Sequence, residues 1–189
     1  MIYTYGSIRF REPRAEDAAF FQRCMNENAH TQRCLFGWVN GLVTMESEQE
    51  YLQERIHGKS SELYYCIENS EGRLIGSCSI FDLDARTRKC TVGLYIADPQ
   101  ARGKGHGGDA LELLLLIAFT ELNCRKVKLH VYSFNENAIR LYEKKGFARE
   151  GVLKDEVFTM GKWHDEYCYA LFDEDWLARV HTEQRKETI

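Results

Sequence analysis

Residues 102–110, RGKGHGGDA, set four glycines within six positions and run straight into LELLLLIAF. No other stretch restricts the fold as much. Glycines at this density leave successive backbone N–H groups unshielded, and a helix N-terminus adds positive potential to them. Arg102 and Lys104 add formal charge, so the sequence predicts an anion cradle suited to a diphosphate. The helix that follows carries Leu111, Leu113, Leu114, Leu115, Leu116, Ile117 and Phe119, apolar on nearly every face. Such a helix has to be buried, and burial fixes the cradle at its head. A nucleotide-like cofactor is implied, with its tail along the preceding strand.

Gly103, Gly105 and Gly108 also satisfy the G-x-G-x-x-G spacing of dinucleotide-binding folds. The context does not fit. Asp98 to Arg102 separate the strand from the glycines, and the next strand ends Val131-Tyr132-Ser133 without the acid that would bind a ribose. A G-x-x-x-x-G-K-[ST] phosphate loop fails because Lys104 is followed by Gly105. A plain flexible loop would explain the glycines but not their position at the head of the most apolar helix.

The rest of the chain reads as one domain, residues 1–189, without repeats or linkers. A formal charge of −4 argues against a nucleic-acid partner, which would need a basic face. The longest apolar run, Leu113 to Phe119, is far short of the roughly 20 residues of a membrane span, and no leader pattern opens the chain. Seven cysteines without a C-x-x-C pair suit buried thiols in a reducing cytoplasm and argue against a structural metal. A cytoplasmic protein is therefore expected.

Changes of hydrophobic period give the element order. A strand at Ile8–Phe10 is followed by a helix over residues 15–28, a non-periodic connector over 29–45 and a helix over Ser47–Ile56. Strands over 62–69 and 73–82 form a hairpin, and a third strand covers 89–97. A helix from Gly105 to Leu122, a strand over 126–132, a helix from Asn135 to Lys145 ended by Gly146, and a final hairpin turning at Met160-Gly161-Lys162 complete the list. The tail after Trp176 is polar and expected to fray at its end. The order predicts an α/β protein with a mixed sheet.

Arg102-Gly103-Lys104-Gly105-His106-Gly107 resembles the [QR]-x-x-G-x-[GA] signature of the GNAT superfamily of acetyl-CoA-dependent N-acetyltransferases. Asn135 with Ala138, and LYEKKGF with Tyr142 and Gly146-Phe147, resemble its second block. The likeness covers residues 7 to 177 and points to the branch with spermidine, ribosomal-protein N-terminal and aminosugar acetyltransferases. It implies a mostly antiparallel sheet with a central splayed parallel pair flanked by helices, and acetyl-CoA as cosubstrate. It assigns cofactor binding to Tyr95, Ile96, Ala97, Arg102, Gly103, Lys104, Gly105, His106, Gly107, Gly108, Asn135, Ala138 and Lys144. Backbone groups of Tyr95 to Ala97 would pair with the pantetheine, an N–H near Ile96 would stabilise the oxyanion, and Asn135 would bond the pantetheine arm while capping its helix. Tyr142 becomes the catalytic acid that protonates the departing thiolate, as a phenol of ordinary pKa near 10.

Thr91 stands where related enzymes often carry a glutamate base, which leaves Asp82, Asp84, a water chain or a neutral amine for that task. Asp109 opens the buried helix, where its charge suits the helix field. Phe36, Trp38 and Val39 either wall an acceptor pocket or join the core. Glu46, Glu48 and Glu50, with Asp155-Glu156 and Asp165-Glu166, read as solvated faces that would tolerate a cationic substrate. The expected reaction is acetyl transfer to a primary amine of a polyamine, peptide N-terminus or aminosugar; a noncatalytic acyl-CoA sensor is the alternative. Relatives are often oligomers, so a homo-oligomer is admitted.

Overall fold

A computed structural model describes residues 3–39 and 41–187. Its elements are strands β1 (Tyr3–Tyr5) and β2 (Ile8–Arg11), then helices α1 (Asp17–Glu27), α2 (Ala29–Phe36) and α3 (Met45–Ile56). Next come β3 (Leu63–Asn69), β4 (Leu74–Asp84), β5 (Lys89–Ile96), α4 (His106–Leu116) and β6 (Lys126–Tyr132). The chain continues through α5 (Glu136–Lys144), β7 (Ala148–Thr159), β8 (Lys162–Phe172) and α6 (Asp173–Glu187). The strands form one sheet in the order β1-β2-β3-β4-β5-β6-β8-β7. Every neighbouring pair is antiparallel except β5 and β6, as expected for the mixed sheet.

Strand alternation divides the core into two layers. On one face Phe10, Ile67, Ile75, Ile80, Val92, Val127 and Leu129 pack against the leucines of α4, with Tyr142 from α5. On the other, Cys66 and Ala97 meet Ala18 and Phe21 of α1 and Leu52 of α3. Neighbouring residues Cys66 and Ile67 thus face opposite layers. Where α1 meets the sheet, Arg11 donates to both oxygens of Asp17 at 2.7 and 2.8 Å and to Glu68 at 2.6 Å. Burial alone would raise the Asp17 carboxyl, but hydrogen bonds from Arg11 and the Arg14 N–H outweigh it and hold the group below its usual range.

Besides the added edge strand β1, three stretches differ from the sequence expectation. The connector over 29–45 contains α2, opened by Asn28, whose side chain accepts from the His30 N–H, and closed by Gly37 at φ 84°. Its buried residues are Thr31 and Gln32, and Gln32 donates to the Met25 and Gly41 carbonyls, so the helix docks through polar groups that hydropathy does not register. The long apolar helix stops at Leu116 and passes into a π-helical turn over Ile117–Glu121. The polar tail is helix α6 up to Glu187, and residues 188–189 lie outside the described part.

Glu112 explains the docking of α6. It is buried in the leucine-rich face of α4 and accepts from Trp176 Nε1 at 2.7 Å, Arg179 Nη2 at 2.8 Å and Lys145 Nζ at 3.2 Å. These bonds outweigh the effect of burial and keep its carboxyl below the usual range. No helix among the described residues is long and apolar enough to cross a membrane.

Candidate active site

β5 and β6 pair over only three positions, Lys89↔Lys126, Cys90↔Val127 and Thr91↔Lys128. Both strands then continue, to Ile96 and Tyr132, without pairing. The gap opens a groove of about 860 Å³, lined by Val92 to Ile96 of β5, His130 and Val131 of β6, the 101–108 loop and the inner face of α5. Ala97 N–H donates back to Ile75 on β4, so alternation turns the amides of Leu94 and Ile96 towards the gap. That edge can accept an extended ligand as a strand would.

At the head of the groove Gly103 and Gly105 have φ of 73° and 90°, and a Cβ on either would meet nothing within 4 Å. Glycine is needed there for conformation and not for space. Among the described residues, the N–H groups of Gly103 to Gly107 donate to no backbone carbonyl, whereas those of Gly108 and Asp109 close on Gly105. These free donors at the start of α4 suit a diphosphate. The Arg102 guanidinium is engaged elsewhere: it donates to the Ile96 carbonyl at 2.9 Å, and to the Ala97 carbonyl and Thr31 Oγ1 at 3.2 Å. Arg102 therefore ties the loop to the end of β5. Asp109 holds the other side, accepting from the Ser7 N–H at 3.0 Å and the Ser7 hydroxyl at 2.8 Å, while His106 Nδ1 lies 2.8 Å from that hydroxyl.

Tyr142 is buried in α5 and lines the groove. Its hydroxyl makes no hydrogen bond among the described residues; burial, with a smaller contribution from Cys34, pushes the phenol up to about 12. The ordinary pKa expected from the sequence is thus replaced by a higher one. Asn135 lines the same groove, and its Oδ1 accepts from the Ala138 N–H at 3.4 Å to cap α5. Of the two aspartates weighed as bases, Asp82 lines the groove and accepts from Thr91 Oγ1 at 3.3 Å. Asp84 accepts from the Thr87 hydroxyl at 2.6 Å and the Arg86 N–H at 2.9 Å, capping the β4–β5 turn away from the groove.

A second cavity of about 480 Å³ lies on the α1–α3 face and meets the groove at Leu35, Gly93, Leu94 and Tyr95. Phe21, Phe36, Tyr51, Tyr64 and Glu48 are among its walls. Phe36 is on a wall and not in the core; Trp38 and Val39 are exposed and line neither space.

The groove gathers Tyr95, Ile96, Arg102, Gly103, Gly105, Gly107, Gly108, Asn135, Ala138 and Tyr142. Ala97, Lys104, His106 and Lys144 lie outside its walls: Ala97 is in the α1–α3 core layer, Lys104 and Lys144 are exposed, and His106 faces Ser7. Sequence reasoning missed Cys34 and His130, and it placed Glu48 on a solvated face, whereas Glu48 is buried on a cavity wall. Glu48 had a legible signal, because Met45, Glu48, Leu52 and Arg55 share one helical stripe whose apolar members face inward. Cys34 and His130 had none, since α2 and the splayed end of β6 reach the groove only through tertiary packing.

Residues 7–148 match the family model described as an acetyltransferase (GNAT) domain. The chain is 34% identical over 130 residues to an uncharacterised N-acetyltransferase, YokL, derived from the SPbeta prophage of Bacillus subtilis, covering 68% of this chain and 71% of that one. It is 32% identical over 131 residues to the spermidine N(1)-acetyltransferase of Vibrio cholerae, covering 69% and 75%. A crystal structure of Vibrio cholerae spermidine N-acetyltransferase in complex with CoA and spermine superposes with a TM-score of 0.79 at 26% identity, covering 90% of this chain and 98% of that one.

Proposed function

Because this chain belongs to the GNAT acetyltransferase family, and is by that membership an N-acetyltransferase, we propose that it moves an acetyl group from acetyl-CoA to the primary amine of a small cationic acceptor. The observation that carries the reading is the parting of β5 from β6 after Thr91↔Lys128, with unpaired glycine N–H groups at one end and Tyr142 on the wall. When bound, acetyl-CoA supplies the thioester whose carbonyl carbon the amine attacks and whose thiol departs.

The chain's own groups fit each task. The N–H groups of Gly103 to Gly107 hold the diphosphate, and the Leu94 and Ile96 amides hold the pantetheine edge and steady the oxyanion. Asn135 orients the arm. Asp82 takes the proton released by the amine, and the Tyr142 hydroxyl delivers one to the sulfur. The relative solved with CoA and spermine supports the cosubstrate and the amine class.

The test is thiol release from acetyl-CoA across primary amines, alongside CoA binding by thermal shift. Turnover of a polyamine is expected; turnover confined to peptides or aminosugars would reassign the acceptor. Thr91 at the usual base position favours a second reading, a noncatalytic acyl-CoA sensor. CoA binding without turnover of any amine would establish that reading instead.

A further inference from the structure

We infer that Cys34 is a thiol–disulfide exchange site for coenzyme A, at which CoA disulfide leaves one CoA covalently attached and closes the groove. The inference rests on the CoA-binding reading of the groove and adds a covalent state to it. Cys34 belongs to α2 and lines the groove with His30, Thr31 and Leu35. Thr31 Oγ1 accepts from Arg102, which also donates to the Ile96 carbonyl, and Leu35 lines the junction of groove and cavity together with Leu94. Positions 31, 34 and 35 share one helical face, so the thiol lies over the β5 stretch from Leu94 to Ile96, where the proposed thioester sits. Tyr142 marks the same place. It is 9% exposed, its hydroxyl has no partner among the described residues, and it lines the groove near enough to Cys34 for a charge there to raise the phenol. The phenol proposed to protonate the CoA sulfur and the Cys34 thiol thus converge on one point.

One helical turn before Cys34, His30 Nε2 lies 3.4 Å from its sulfur and can take its proton. In the exchange the Cys34 sulfur attacks one sulfur of CoA disulfide held by the cradle. The bond between the two CoA sulfurs breaks as the new one forms, and the second CoA leaves as a thiolate that takes the proton from His30. Cys34 is oxidised, and the departing half of the disulfide is reduced. Burial raises the Cys34 thiol, with Arg102 partly opposing it, so unguided disulfides react slowly and the cradle supplies the rate by holding one CoA half beside the sulfur. Cys168 is the control that the fold provides. It too is only partly buried and has His130 Nδ1 at 3.7 Å from its sulfur, but it lies outside the groove walls. Cys24, Cys66, Cys78, Cys90 and Cys124 are buried.

The test treats wild type and Cys34→Ser with CoA disulfide or with glutathione disulfide at equal concentration, without reductant, and follows adducts by intact mass and peptide mapping. Wild type should gain one CoA at Cys34 about tenfold or more faster than it gains glutathione there, because only CoA is guided by the cradle. Desulfo-CoA, which can fill the groove but has no sulfur to exchange, should slow labelling of Cys34 and leave labelling of Cys168 as it was. The modified wild type should lose the rise in unfolding temperature that added CoA produces, and dithiothreitol should restore it. Cys34→Ser should carry no adduct at position 34, and its response to CoA should be the same before and after treatment. CoA disulfide reacting with Cys34 no faster than glutathione disulfide, or labelling Cys168 as fast as Cys34, overturns the assignment. Stabilisation of the untreated protein by CoA without selective labelling defeats this inference alone. If CoA does not stabilise the untreated protein, the cofactor reading falls and the Cys34 assignment falls with it.

Discussion

Replacing Tyr142 by Phe tests the proposed acid with little structural disturbance. The phenol is buried, its oxygen has no hydrogen-bond partner among the described residues, and burial raises it from 10 to about 12. Ionising it in the fold therefore costs about 3 kcal/mol more than in water. Two consequences follow. The hydroxyl stays protonated throughout the working range, so it is always loaded as a donor. It is also a weaker acid than a free phenol, so the proposed proton transfer to sulfur requires that desolvation in the groove also raise the basicity of the departing thiolate. A positioned general acid contributes about 10²- to 10⁴-fold, so kcat for Tyr142→Phe should fall at least about 100-fold. The ring and its 6.0 Å contact with Phe147 remain, so CoA affinity should stay within about threefold, and stability within about 1 kcal/mol. Stopped assays of thiol release, calorimetry with CoA and thermal unfolding give the three numbers. A kcat within threefold of wild type would remove Tyr142 from the chemistry. A basic limb of kcat centred below pH 10 that vanishes in the variant would contradict the raised pKa.

Gly105→Ala places a side chain at φ 90° with open space around it; it should cost about 1–2 kcal/mol of backbone strain and weaken CoA binding, as read by calorimetry. Asn135→Ala should lose about 1 kcal/mol of stability with the α5 cap and raise the KM for acetyl-CoA, whereas Asn135→Ser should recover the unfolding temperature but not the KM. Arg11→Met leaves Asp17 buried without its ion-pair partner and Glu68 held by Arg9 alone, and should cost about 3–5 kcal/mol in denaturant unfolding. Both carboxyls lie below their usual range because bonds from Arg11, joined by the Arg14 N–H at Asp17 and by Arg9 at Glu68, outweigh burial, so their contribution is present above about pH 4 and is lost as pH falls. Arg11→Met should flatten that acid limb of the stability profile.

Local chemistry made much of this legible. The glycines of 103–108 and the leucines of 111–116 announce a buried helix with a bare head, because backbone freedom and all-round hydrophobicity are properties of contiguous residues. Period-2 alternation in KVKLHVY marks a strand because successive side chains must face opposite layers. Helix α2 escaped because its buried face is Thr31 and Gln32, and the polar residues of α6 gave no hint that Trp176 and Arg179 would meet Glu112. Near-equal hydropathy also hid the difference between Glu48, which faces a cavity, and Glu46 and Glu50, which face water.

The sequence by itself determined the glycine-rich head of the buried helix and the strands that flank it, since each depends on neighbours along the chain. Only the tertiary structure decided that Asp82 and not Asp84 borders the groove, that Arg102 serves β5 in place of the anion, and that Tyr142 has a raised pKa. Those outcomes depend on which groups exclude water and which supply hydrogen bonds across tens of residues, and desolvation and pairing exist only after the sheet has closed on its helices.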